Sequence, residues 1–433
     1  MANNTITAPR GFLAAGVHCG IKKSVKADVA LLVCPTGAKA AAVFTTNKIA
    51  SAAVQVSKQH IKSPSISALV VNSGNANACT GQQGVKNAIK MCSKTAQHMS
   101  EIQNKRLLRF ARNDEKDAIR NTQYAARDVL VASTGIIGEQ LPIKKVIIGI
   151  SKAVENLSAS ASAGQDFAKA IMTTDTRPKQ AIRRFILGSR ATSDGPQITI
   201  AGAVKGAGMI APNMATTLCF IATDVAISKP LLSRALKTAI DNSLNRLTVD
   251  GHQSTNDTAI ILASGLAGNR PIVGPDIHRD PRYKKFSKAL GQLCDDLVKQ
   301  MALDAEGATR MFKVVIKGAA SKTDAAKAAR AIADYPLVKC AVHGGDPNWG
   351  RIICAVGSVG VKLNPNKLSC RLGNITVFKN GTPRRFDARK AGKIISQTEH
   401  IITVDLAAGK QSDFYYGCDL SPDYVRINAK YHT

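Results

Sequence analysis

The sequence predicts an α+β protein with a layered αββα architecture, and three observations carry that prediction. Apolar runs of strand length and stretches of helical periodicity follow one another without the regular βαβ alternation of a parallel sheet. No repeat of fixed period is present. At 433 residues and 45% hydrophobic composition, the chain exceeds what one simple core holds, so two lobes or one large layered domain are expected. Aromatics make up only 4%, which leaves aliphatic side chains to fill the interior.

From the N-terminus, short apolar runs at 30–33, 41–44 and 52–56, separated by Gly, Pro, Asn and Ser, read as adjoining strands. A further strand, 67–71, enters the Asn/Ser/Gly-rich segment 72–81, a loop of unusual backbone angles. Residues 84–100 read as an amphipathic helix, 101–127 as an exposed basic insertion, and 129–138 as a strand that stops at Ser133, Thr134 and Gly135. Helices at 144–161 and 164–172 lead to a polar turn holding Thr173 and Thr174, and 183–196 is a second basic, irregular piece. The strand 198–204 runs into the central segment 205–218, followed by a strand at 220–227, a helix at 230–247, the polar cluster 250–258 and a strand at 259–264. Asp280 before Pro281 is a helix start signal, and the helix it opens runs to Leu303. The remainder supplies a strand at 311–316, a helix at 322–333, a turn at 343–350, several strands and a strand-like ending at 424–433.

Formal net charge is +29, which first suggests an anionic partner. The basic residues are scattered over unrelated segments, such as Lys22–Lys23, Arg183–Arg184 and Arg384–Arg385, and no aromatics are interleaved for base stacking. This pattern favours a generally basic, solvated surface over a nucleic-acid groove. The ten cysteines form no CxxC pair and no zinc-like spacing with His, so they read as reduced, mostly buried residues and no metal site is expected. No stretch approaches 18 apolar residues and the N-terminus lacks an apolar leader core, which predicts a cytoplasmic protein with no membrane partner.

The central segment admits two chemical readings. Gly206, Gly208 and Ala211 match the spacing of a dinucleotide fingerprint, but Pro212 and Asn213 interrupt where its phosphate-binding helix should run, so no bound nucleotide cofactor is expected. Thr216 follows the small residue Ala215 at the start of a strand, and its hydroxyl could attack the preceding carbonyl. Freed as a new N-terminus, Thr216 would have an α-amine of pKa about 7.7–8.0 to serve as base for its own hydroxyl. His343 and His252 lack identifiable partners and read as structural.

Residues 205–218 resemble the self-cleavage segment of the ornithine acetyltransferases (glutamate N-acetyltransferases) of arginine biosynthesis, the ArgJ family, with its pattern K-G-x-G-M-x-x-P-x-M-A-T. Segments 72–81, 131–138, 172–176, 250–258, 304–310 and 424–433 resemble further family motifs in the family's order. The resemblance implies a fold similar to the N-terminal-nucleophile hydrolases. It implies cleavage between Ala215 and Thr216 into an α chain, 1–215, and a β chain, 216–433, held together as an α2β2 heterotetramer. It makes Thr216 the nucleophile, Thr134 and Gly135 the oxyanion-stabilising pair, and Thr173 or Thr174, Lys205, Glu306, Asn428 and Thr433 the substrate-binding set. Lys205 suits a carboxylate and Glu306 an ammonium. The implied reaction moves the acetyl group from N2-acetylornithine to glutamate, giving ornithine and N-acetylglutamate, with no metal or bound cofactor; acetyl-CoA stays open as a second donor. A self-processing aminopeptidase and a basic nucleic-acid-binding protein on an inactive scaffold are the alternatives. The insertions at 101–127 and 183–196 and the high charge depart from the family pattern.

Overall fold

The computed structural model describes residues 3–110, 124–188, 195–211, 217–274 and 280–430, with backbone alone for 104–110. Ala215, Thr216 and Thr433, with 111–123 and 189–194 of the two expected insertions, lie outside the described residues.

The first lobe begins with β1 (Leu13–Val17), β2 (Val29–Phe44), α1 (Ala52–His60), β3 (Ile66–Asn75), α2 (Gly81–Phe110) and β4 (Val129–Ile136). It continues through α3 (Ile143–Glu155), α4 (Ala161–Ala170), β5 (Lys179–Ile186), β6 (Gln197–Lys205), β7 (Leu218–Thr223), α5 (Lys229–Asp241), β8 (Thr258–Ala263) and α6 (Pro281–Leu303). The strand order is β4-β3-β2-β8-β7-β6-β5, with β1 beside β2. The long strand β2 serves two sheets: Val29–Val33 pair with β1 and β3, and Lys39–Phe44 pair with β8 across a register shift.

Alternation along the strands then builds the layers. Ala30, Leu32, Leu69 and Leu130 on one sheet share a core with Phe220, Ala222, Ile260 and Leu262 on the other. The intervening residues face outward to helices: Leu31, Val70 and Val131 pack with α1, α2 and α3, while Cys219, Ile221 and Ile261 pack with α5 and α6. Helix, sheet, sheet, helix is the expected αββα order, in an α+β chain. Each fully buried Val, Leu or Ile contributes roughly 1.5–3 kcal/mol, so three such cores stabilise the lobe despite few aromatics.

The second lobe carries β9 (Met311–Ala319), α7 (Lys322–Asp334), α8 (Pro336–Gly344), α9 (Trp349–Gly357), β10 (Ser369–Leu372), β11 (Ile375–Lys379), β12 (Thr382–Pro383), α10 (Ala388–Ile395), β13 (Glu399–Asp405), β14 (Gln411–Cys418) and α11 (Pro422–Lys430). Its sheet runs β12-β11-β10-β13-β9-β14. One face buries Val314, Val377 and Val404 under α7 to α10, and Met311, Tyr416 and Cys418 join the α6 core of the first lobe.

Two expected strands are helices. Residues 52–56 belong to α1, because Ser51 caps its start by accepting the Val54 N–H at 3.4 Å. The terminal segment is α11, opened by Pro422 with Ser421 Oγ accepting the Asp423 N–H at 3.2 Å. The first four residues of 183–196 are regular: β5 pairs with β6 from Lys179 to Ile186. All ten cysteines are free, six of them buried, while Cys79, Cys340 and Cys354 are exposed. Among the described residues no helix is long and apolar enough to cross a membrane.

Candidate active site

Strand β4 ends at the site. Ser133 Oγ donates to Asn72 Oδ1 at 2.6 Å, and Gly135 is paired with Gly74 on β3. Gly135 has φ +132°, and a Cβ there would lie 2.2 Å from the Gly74 carbonyl carbon, so no larger residue fits. This packing leaves the Thr134 side chain facing the next element. Lys205, the last residue of β6, donates from Nζ to Thr134 Oγ1 at 3.1 Å.

Thr134, Gly135, Thr173, Thr174, Lys205, Glu306 and Asn428 all line one cavity of about 80 Å³. They come from five separate stretches of sequence. Of the site residues that the resemblance implies, Ala215, Thr216 and Thr433 are outside the described residues, and the others meet at this cavity. Neither His252 nor His343 lines it. His343 Nδ1 instead lies 2.7 Å from Asp419 Oδ2.

A buried chain of charges ties the stretches together. Lys179 Nζ sits 2.5 Å from Asp175 Oδ1 and 2.5 Å from Asp304 Oδ2, with none of the three groups meaningfully exposed. Asp175 also accepts the Gly206 N–H at 2.8 Å and the Thr173 N–H at 3.0 Å. Asp304 accepts from the Thr176 backbone and hydroxyl. Burial alone would push the Asp175 pKa up, but the Lys179 and Lys205 charges and the Gly206 N–H hold it at about 2. Burial lowers the Lys205 pKa, against the pull of Asp175, Asp257 and Glu306.

Glu306 is set by both of its ends. Its N–H donates to Ala207 O at 3.0 Å, and its Oε2 accepts from Asn428 Nδ2 at 2.9 Å. Opposite, Asp250 accepts the Met209 and Ile210 N–H groups at 2.6 and 3.0 Å, which holds Met209 at φ +56°. Asn256 donates to both Ala76 O and Ser133 O at 2.7 Å and lines the cavity with Ser254.

Sequence reasoning placed 250–258 as a polar cluster but assigned it no contacts, and it passed over Asp175 and Lys179. Their spacing of four residues before a strand was the only local signal of a pair. Among the described residues no group of three or more His, Cys, Asp or Glu could hold a metal ion. The arrangement offers hydroxyl and backbone donors beside a buried lysine, and one carboxylate across the cavity. Such a site suits a polar acyl donor with a cationic end.

The chain matches the ArgJ family over residues 13–433. It is 42% identical to the arginine biosynthesis bifunctional protein ArgJ of Symbiobacterium thermophilum over 430 residues, covering 99% of this chain and 98% of that protein. It is 40% identical to the protein of the same name from Geobacillus kaustophilus over 434 residues, covering 100% and 97%. A crystal structure of the arginine biosynthesis bifunctional protein argJ from Bacillus halodurans is 40% identical, covers 49% of this chain and 98% of that chain, and has a TM-score of 0.47. The match spans nearly every described element and all the cavity residues, so this chain belongs to the ArgJ family.

Proposed function

We propose that this chain is an acetyltransferase of arginine biosynthesis that moves the acetyl group from N2-acetylornithine to glutamate through Thr216. The observation that supports it most is the meeting of Thr134, Gly135, Lys205, Glu306 and Asn428 at one cavity in a chain of this family.

In this reading the chain cleaves itself after Ala215, giving an α chain 1–215 and a β chain 216–433, and Thr216 becomes an N-terminus. The Thr216 Oγ attacks the acetyl carbonyl of N2-acetylornithine, and its α-amine takes the hydroxyl proton. The tetrahedral oxygen is received by the Thr134 hydroxyl and the Gly135 N–H. Because Lys205 donates into Thr134 Oγ1, the Thr134 hydrogen is turned away from Lys205 and is available to an oxyanion. The amide C–N bond breaks, ornithine leaves with the proton, and an acetyl ester of Thr216 remains. The amine of glutamate then attacks that ester, the C–Oγ bond breaks, and N-acetylglutamate leaves in a ping-pong cycle. Glu306, oriented by Asn428, holds the side-chain ammonium of the ornithine moiety; Thr173, Thr174 and Thr433 complete the substrate contacts, and the active species is an α2β2 assembly.

Two measurements test the reading. Denaturing electrophoresis of the purified protein should show two fragments of similar size, and Thr216→Ala should remain one chain without acetyl transfer. An uncleaved chain of full activity, or transfer by Thr216→Ala, refutes it. Offering N2-acetylornithine and acetyl-CoA in turn as donors for glutamate defines the donor range.

A further inference from the structure

Asn256 lies two positions before β8, is buried, and lines the cavity from the layer opposite β3 and β4. Its Nδ2 donates to Ala76 O and to Ser133 O, both at 2.7 Å. Both acceptors are carbonyl oxygens, which cannot donate, so the amide has one possible orientation and both of its hydrogens are used. Its Oδ1 accepts from Thr255 Oγ1 at 2.6 Å. Its backbone is held as well, the N–H by Ser254 Oγ at 3.1 Å and the carbonyl by Thr258 Oγ1 at 2.8 Å. With no hydrogen left to offer a substrate, this amide acts on the reaction through the groups it fastens.

Those groups bracket Thr134 and Gly135. Ser133 O belongs to the peptide that leads into Thr134. On the far side, Ile136 O accepts the Ala76 N–H at 2.9 Å, and Ala76 O is the second acceptor of Asn256. The segment 133–136 is therefore fastened at both ends to one peptide and one amide. The strand ladder does not do this, because the register between β3 and β4 shifts between Gly74 and Asn75, where Gly135 is paired. Nor does Gly135 hold itself. It sits at φ +132°, and glycine takes either sign of φ with nearly equal ease, so an unfastened chain is free to turn the Gly135 N–H away.

We propose that Asn256 is a positioning residue for the oxyanion pair: by holding Ser133 O and Ala76 O it aims the Thr134 hydroxyl and the Gly135 N–H at the acyl oxygen. The proposal rests on the assignment of Thr134 and Gly135 as oxyanion donors in acetyl transfer. In that reading Asn256 belongs to the β chain and the pair to the α chain, so the alignment is imposed by one cleavage product on the other. Donors aimed in advance act on the transition state more than on the bound substrate, so their misalignment is read in kcat rather than in KM.

Full-length wild type and Asn256→Ala are compared by steady-state kinetics with N2-acetylornithine and glutamate, with rates normalised to the cleaved chains on denaturing gels. The expected result is a kcat lowered by about 10²-fold, with both KM values within about threefold of wild type. A wild-type kcat overturns the proposal. So does a raised KM at unchanged kcat, which marks a substrate contact instead. Asn256→Asp has nearly the same shape and serves if Asn256→Ala fails to fold. Its side chain donates one hydrogen when protonated and none when ionised, so its kcat relative to wild type should rise as pH falls from about 8.5 to about 6. A flat ratio overturns the proposal.

Chains that stay uncleaved are decided by hydrogen exchange, with Thr216→Ala as the uncleaved reference. Peptides covering 133–136 should exchange at least about 10-fold faster in Asn256→Ala, and peptides from α6 equally fast in both. Equal exchange at 133–136 overturns the proposal. A wild type that transfers no acetyl group refutes the assigned reaction instead, and the exchange comparison then decides the clamp by itself.

Discussion

Gly208 packs against Glu306 so closely that a methyl group on the glycine would lie 2.3 Å from the Oε2 of the carboxylate. That oxygen is the one that accepts from Asn428 at 2.9 Å. Gly208→Ala should therefore displace Glu306 from Asn428 while leaving the cores untouched. A charge-assisted hydrogen bond contributes about 1.5–3 kcal/mol, so KM for N2-acetylornithine should rise roughly 10- to 100-fold. Steady-state kinetics with an unchanged KM would remove Glu306 from the substrate-binding set.

Lys205 was expected to meet a substrate carboxylate, and it also donates to Thr134. The two roles separate kinetically. If alignment of Thr134 dominates, Lys205→Met lowers kcat by about 10²-fold, the usual loss for one oxyanion donor, with little change in KM. If carboxylate binding dominates, KM rises instead. Measuring both constants decides between them.

Lys179 is a buried cation between Asp175 and Asp304. Lys179→Met should destabilise the protein by about 3–5 kcal/mol, because it leaves two buried carboxylates without their cation. The pH dependence follows from Asp175, whose pKa of about 2 lies below its ordinary 3.8. A depressed acid contributes stability that is present above its unfolded pKa and is lost as pH falls through the folded one. Melts recorded from pH 5 to pH 2 should show that loss in wild type and a smaller one in Lys179→Met.

His400 stacks on Phe312 at 5.8 Å between centroids, and burial, aided by the Arg310 charge, lowers its pKa to about 4. This contribution is present above the ordinary pKa of 6.5 and is lost as pH falls through about 4. Between pH 7 and pH 5 the wild type should lose about 2 kcal/mol through this group. His400→Phe should lose correspondingly less, as read from urea midpoints at the two pH values.

Much of the layering could be read from the sequence because the strands that build it are short, apolar and interrupted by glycine and asparagine. The failures are local. The run Ala52-Ala53-Val54-Gln55-Val56 alternates like a strand, but Ser51 in front of it is a helix cap, and the cap prevailed. The segment 424–433 reads as strand-like, but Ser421 and Pro422 just before it mark a helix start, and the described part of it is α11. At the site, Thr134, Lys205 and Glu306 were identifiable through resemblance to a family pattern, since a lone threonine or lysine carries no signal of its own. The link from Lys179 to Asp304 was out of reach for a different reason. Nothing in the local pattern of either residue reveals a partner more than a hundred positions away.

The order β2-β8-β7-β6 has a topological consequence. A cut after Ala215 would assign β7 and β8 to one product and their outer neighbours, β2 and β6, to the other. The second product would be wedged inside a sheet built by the first, hydrogen-bonded along both flanks, with Lys205 and Leu218 still in register. Pulling the two apart would tear two ladders at once and open the central core to water. The chain can thus lose a covalent bond near its middle without gaining a route to dissociation, and the pair should dilute, elute and melt as one body.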